Sequence, residues 1–333
     1  MKGNMKNLLL FFCVCICFHA FLYTGCEEMK GTENRNNTDS QNNKNGPEGN
    51  EDVLEYINKE PISLWDSVEQ IPYYDATVTN QTVPELTPYV INTEKNKKPC
   101  VIICPGGSYM EHAIDTEGYQ IAEALNSQGL SAFVLKYRVA PYDHKAILSD
   151  VFRAIRFVRY YAEDFGVDSD KIAIMGFSAG GHLAAMALQN EPEIYADEID
   201  SVSAKLDCGV LCYAVLTMKQ PHTHQATKQN FIGKIIPECY NEMIEKYSAE
   251  LNVTANMPPC FIWTCRPDAV VSFKNSEKLA AAMDKAGVNC EFHLFEFGNE
   301  IFGGGHGIGL ATNCGDAAGW FDSCVKWLKG RGY

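Results

Sequence analysis

The chain has 333 residues, enough for one large α/β domain with a sizeable core or for two small ones. Its composition, 46% hydrophobic and 21% charged, is that of a globular protein and excludes a fibrous or wholly disordered one. A formal net charge of −14 repels nucleic-acid phosphates, so nucleic acid is not an expected partner, and the charge itself selects no substrate.

Lys2 and Lys6 precede an apolar run over residues 8–23, the charged and apolar regions of an export signal. The run is short for a spanning helix, which needs roughly 20 apolar residues. A signal anchor that stays in the membrane is the alternative. The run closes on Leu22-Tyr23-Thr24-Gly25-Cys26, which resembles a bacterial lipobox, whose cysteine is lipidated and becomes the new N-terminus. Thr24 and Gly25 fit that pattern, whereas Leu22 stands one place early and Tyr23 is bulky. Lipidation of Cys26, which would tether the mature chain to a membrane, and plain cleavage nearby both stay open. Residues 27–60 are rich in Asn, Gly, Glu and Lys and too poor in large apolar side chains to offset chain entropy. They are expected to form a disordered linker, with the folded domain over residues 61–333.

From there, short apolar runs alternate with helical periodicity. Strands are predicted over residues 87–92, 100–104, 131–136, 171–176, 208–216, 260–265 and 290–297. Helices are predicted over 116–128, 149–165, 179–189, 273–286 and 316–329. Gly129, Gly166 and Gly287 supply C-terminal stops. This alternation specifies an α/β protein with an open, mostly parallel, doubly wound central sheet covered by helices on both faces. The central strands are continuously apolar, as strands buried on both faces must be. In such sheets the functional residues gather outside the carboxyl ends of the strands. The 14 cysteines form no dense framework. Several lie in apolar, β-rich runs, where cysteine behaves as a small hydrophobe, and most are expected to be free thiols. No cysteine–histidine cluster has zinc spacing, so no metal is expected.

Gly176-Phe177-Ser178-Ala179-Gly180 fits G-x-S-x-G between the apolar strand 172–175 and the helix 179–189. A tight strand-to-helix turn lifts a serine hydroxyl out of a sheet and toward a base, and crowding there demands small neighbours. Ser178 is therefore the candidate nucleophile. Pro105-Gly106-Gly107-Ser108-Tyr109 follows the strand ending at Cys104. Such a loop brings backbone N–H groups to a developing oxyanion. Gly107 or Ser108 is expected to supply one donor and Ala179 the other. Of eight histidines, His306 stands in a glycine run after the last strand and before the last helix, the place for the base. The glycines around it suggest a flexible loop. His182 is expected to pack against neighbouring structure, His112 and His144 to lie in loops near the substrate, and His222 and His224 in an irregular lid-like segment. Asp268, at the end of the strand 260–265, can orient an imidazole or cap the following helix. Glu300, close to His306 in sequence, is the reserve candidate for the acid.

PGGSY, LKYRVAP, SDVFRAIRFVR, IMGFSAGGHLAA, YSAELNVTANMPPCFIW, DAVVSFKNS and GGHGIGL occur in this order over residues 64–329. Together they resemble the acetyl-esterase and lipase-like α/β hydrolases, including carbohydrate esterases that act on acetylated xylan. The resemblance implies an α/β-hydrolase fold and a serine carboxylic-ester hydrolase that needs no cofactor. It implies Ser178 as nucleophile, Asp268 as acid, His306 as base, and Gly107, Ser108 and Ala179 at the oxyanion hole. The implied substrate is a short acyl ester, acetyl above all, on a carbohydrate or polysaccharide. A general carboxylesterase or lipase, and a non-catalytic surface binding protein on the same scaffold, are the alternatives. Arg266-Pro267, Ser272 and a long loop over 298–305 depart from the family pattern.

Overall fold

A computed structural model of the chain describes residues 55–56, 59–78, 83–92, 97–190, 196–233, 237–296 and 304–333. The expected export signal, Cys26, Glu300 and most of the expected linker lie outside the described residues. Within the linker, β1 (Glu55–Tyr56) pairs antiparallel with β4 (Ile91–Asn92).

The main sheet has eight strands. Residues 62–63 form β2 and Glu85–Tyr89 forms β3. The central set is β5 (Lys98–Cys104), β6 (Ser131–Lys136) and β7 (Val167–Phe177). It continues through β8 (Cys208–Cys212), β9 (Cys260–Cys265) and β10 (Cys290–Phe295). Their order is β10-β9-β8-β7-β5-β6-β3-β2. β2 and β3 pair antiparallel, as do β3 and β6, and every other pairing is parallel. The carboxyl ends of β5, β7, β8, β9 and β10 therefore share one edge, where chemistry is expected.

The helices are α1 (Gln120–Ser127), α2 (His144–Tyr160), α3 (Ala162–Phe165), α4 (Ser178–Gln189), α5 (Gln225–Ile232), α6 (Pro237–Lys246), α7 (Lys274–Lys285) and α8 (Trp320–Lys329). On one face of the sheet Val101, Ile103, Val134, Met175, Val210 and Trp263 meet α1 and α8 in a single core cluster. The other face carries α3 and α4. Phe133 packs on Phe165 of α3 with ring centroids 4.9 Å apart. A Cβ on Gly209 would lie 2.3 Å from Leu188 of α4. Each fully buried Val, Ile or Leu contributes roughly 1.5–3 kcal/mol. An exposed ion pair such as Lys59–Glu123 contributes about 0–1 kcal/mol. Apolar burial thus sets the layers, and the double-wound arrangement is that of the α/β hydrolases.

Several boundaries differ from expectation for local reasons. α2 starts at His144, five residues early, because the Asp143 side chain accepts the Lys145 N–H and caps it. β8 ends at Cys212. The apolar stretch beyond it is buried but leaves the sheet at Tyr213, whose φ is +37°. The Leu216 and Thr217 N–H groups donate to the Asn275 side chain at 2.9 Å, in place of a ladder. The helix expected over 116–128 begins as a π-helical turn, Asp115–Tyr119, before α1. α5 and α6, between β8 and β9, were not expected; α5 has too little apolar periodicity to be read from the sequence. Among the described residues all ten cysteines are free. No described helix is long and apolar enough to cross a membrane.

Candidate active site

β7 ends at Phe177 and α4 begins at Ser178, so the serine occupies the turn itself. Its φ is +49°, left-handed and strained for a residue with a Cβ. The glycines around it are there for space. A Cβ on Gly176 would lie 2.2 Å from the Gly180 carbonyl oxygen, and one on Gly180 2.1 Å from that of Cys104. These approaches lock α4 against the ends of β5 and β7. Ser178 is 6% exposed.

The imidazole arrives from the loop after β10. His306 Nε2 stands 2.9 Å from Ser178 Oγ, and His306 Nδ1 stands 2.9 Å from Asp268 Oδ2. The hydroxyl donates to Nε2 and the Nδ1–H donates to the carboxylate, which fixes the tautomer. Asp268 lies just beyond β9, its side chain wholly buried. Its Oδ1 accepts the Val270 and Val271 N–H groups, each at 2.9 Å. It caps this turn; α7 starts later, at Lys274. The loop carrying His306 also depends on close approach. A Cβ on Gly304, whose φ is +77°, would lie 1.9 Å from the Pro267 carbonyl oxygen. That glycine lets the loop carrying His306 close onto the loop carrying Asp268.

The loop after β5 borders the same point. A Cβ on Gly106 would lie 2.9 Å from Ser178 Cβ. Gly107, Ser108 and Tyr109 all have positive φ, at 134°, 59° and 57°. The loop is held by the Tyr137 hydroxyl donating to Pro105 O at 2.6 Å and by Asn230 of α5 donating to Ser108 O at 2.9 Å. Ala179 lies in the first turn of α4, where an N–H has no intrahelical acceptor.

Other histidines resolve one by one. His182 is fully buried, its Nδ1 accepting the Tyr109 hydroxyl at 2.8 Å and its Nε2–H donating to Tyr247 O at 2.9 Å. Burial pushes its pKa down to about 4. Burial does the same to His112, whose ring lies 4.6 Å from that of Tyr137. His144 is no loop residue: it opens α2, buried against Tyr247 and Phe231. His224 is half-buried, pairs with Thr227 at 2.9 Å, and is held below the usual imidazole range by burial and by the charge of His306. No group of residues suited to a metal ion occurs among the described residues. Sequence reasoning missed Glu117 and Tyr213. Glu117 accepts the Gly106 N–H and the Tyr213 hydroxyl, each at 2.8 Å. An acid inside a helical pattern gives no sign that it points inward.

Residues 86–283 match the BD-FAE family. The chain is 32% identical over 263 residues to an endo-1,4-beta-xylanase B of Butyrivibrio fibrisolvens, covering 75% of this chain and 38% of that protein. It is 31% identical over 240 residues to an acetylxylan esterase of Xylanibacter ruminicola, covering 69% and 45%. The chain thus spans less than half the length of these two curated relatives. The crystal structure of an acetyl ester-xyloside bifunctional hydrolase from Caldicellulosiruptor lactoaceticus superposes with a TM-score of 0.75 at 35% identity, covering 83% of this chain and 97% of that one. With the elbow at Ser178 lying inside the matched span, the chain belongs to the BD-FAE family of α/β hydrolases.

Proposed function

We propose that this protein is a serine carboxylic-ester hydrolase that removes short acyl groups, acetyl above all, from carbohydrate esters such as acetylated xylan. The observation that carries the reading is the unbroken hydrogen-bonded chain from Ser178 through His306 to Asp268. His306 takes the proton of Ser178 as its oxygen attacks the ester carbonyl. Asp268 holds the imidazole and stabilises its cation. The backbone N–H groups of Ala179 and of Gly107 or Ser108 receive the oxyanion, each such donor contributing typically about 3–4 kcal/mol. The alcohol leaves with the proton from His306, and water then releases the acid from the acyl-enzyme.

The carbohydrate ester is supported by the names of the relatives, an acetylxylan esterase and an acetyl ester-xyloside hydrolase. The test is a side-by-side screen of acetylated xylan, acetylated pectin and simple acyl esters of rising chain length. Acetate release from xylan with the highest kcat/KM is expected. A preference for long acyl chains would replace the carbohydrate esterase with a general lipase.

The pattern of Lys2, Lys6 and the apolar run 8–23 further supports export, with Cys26 as the lipidated end of the mature chain. Mass spectrometry of the mature N-terminus tests this, and an unmodified peptide spanning Cys26 would refute it.

A further inference from the structure

Glu117 is only 2% exposed, yet the acyl-transfer steps above do not call on it. Its Oε2 accepts the Gly106 N–H and its Oε1 accepts the Tyr213 hydroxyl, both at 2.8 Å. The Tyr213 oxygen in turn accepts the Gly309 N–H at 3.1 Å, so its own hydrogen is directed at Glu117. Both carboxylate oxygens are acceptors, the pattern that suits the ionised form. Burial is the largest influence and leaves this carboxyl above the usual carboxylate range, while the Tyr213 hydroxyl, the Gly106 N–H and the charge of His306 each favour the anion and oppose that rise.

The groups joined in this way are the ones the reaction must keep in register. Gly106 opens the oxyanion loop, and a Cβ there would meet both Glu117 Oε2 at 2.6 Å and Ser178 Cβ at 2.9 Å. Gly309 lies three residues beyond His306, and a Cβ there would lie 2.7 Å from Thr116 O, next to Glu117. The Tyr213 ring lies 5.0 Å from the His306 imidazole. The backbone of Tyr213 is itself left-handed, turned out of β8 to reach this place.

We propose that Glu117, with Tyr213, is a positioning residue of the reaction: it clamps the oxyanion loop to the base loop and acts as a second anion favouring the imidazolium that His306 becomes. This rests on the acyl-transfer reading. The other ionisable groups around His306 are Asp268, from the turn after β9, and His224, at the start of α5. Burial and the charge of His306 hold His224 below the usual imidazole range. Around Glu117 are Tyr137, Tyr213 and Cys212, all held neutral by burial.

The test is the pH profile of p-nitrophenyl acetate hydrolysis by Glu117→Gln, which keeps the side-chain size. kcat is expected to fall about ten- to hundred-fold, with KM changed by less than about three-fold. The acid limb of kcat/KM is expected to move about one pH unit lower, because the imidazolium loses an anion. A fall in kcat with an unmoved acid limb would reduce Glu117 to a structural part and overturn the proposal. So would wild-type kinetics in the variant. A wild type with no esterase activity would overturn the acyl-transfer reading, and this proposal with it. Should Glu117→Gln not fold, Tyr213→Phe removes one oxygen and keeps the ring. It strips the Gly309 N–H of its acceptor and Glu117 of one donor, and kcat is expected to fall about ten-fold. Wild-type kcat in Tyr213→Phe would likewise overturn the proposal.

Discussion

Asp268 carries two loads at once. One oxygen holds His306 Nδ1 at 2.9 Å and the other holds the Val270 and Val271 N–H groups. Asp268→Asn keeps an oxygen for the turn but presents the imidazole with the wrong partner. Its kcat is expected to fall about 10⁴-fold with the fold intact. Steady-state kinetics with circular dichroism checks this, and near wild-type kcat would move the acid elsewhere. At this scale the hydrogen-bonded set of Ser178, His306 and Asp268 was legible because each member carries a local signature: a G-x-S-x-G turn, a glycine-flanked histidine, a strand end. Glu117, Tyr213 and Asn275 carry none. Their partners are residues 11 to 96 positions away, and only the fold brings them together.

Among the elements, the elbow between β7 and α4 is the tightest joint. A Cβ on Gly180 would sit 2.1 Å from Cys104 O and 2.4 Å from Pro105 O, both backbone atoms that cannot swing aside. Gly180→Ala must therefore part α4 from the end of β5. The expected cost is about 3 kcal/mol or more, with loss of activity, since Ser178 moves with α4. Urea unfolding together with kcat measures both, and a stable, active variant would contradict the packing described. β6 and β9 were read to the residue, because apolar β-branched and aromatic runs bounded by turns leave little choice. The overrun of β8 has a physical cause. Buried backbone outside the sheet is as apolar as a strand, and here the Asn275 side chain, not a neighbouring strand, satisfies it. α5 escaped for the opposite reason: it is a short helix with no wide apolar face, tied to the oxyanion loop through Asn230 and Ser108 O.

For the whole molecule, the buried histidines couple stability to pH. His182 and His112 are held neutral, both pushed down to about 4, whereas an unfolded histidine titrates near 6.5. Between these values the unfolded chain binds protons that the folded chain refuses, so stability falls as pH is lowered through that window. His182, fully buried, accounts for a loss on the order of 3 kcal/mol. Urea midpoints at pH 7, 6 and 5 are expected to decline in the wild type and to decline less in His182→Gln. Parallel declines would place the proton uptake elsewhere. The layer order and the shared edge of strand ends followed from β-α alternation alone.

The central claim is that the hydroxyl of residue 178 performs the attack. The direct measurement is acetate release from acetylated xylan by the wild type and by Ser178→Ala, with mass spectrometry locating the adduct of a fluorophosphonate. The account predicts modification at Ser178 and a loss of about 10⁶-fold in kcat for the variant. Adduct at another residue, or equal acetate release by both proteins, would contradict it.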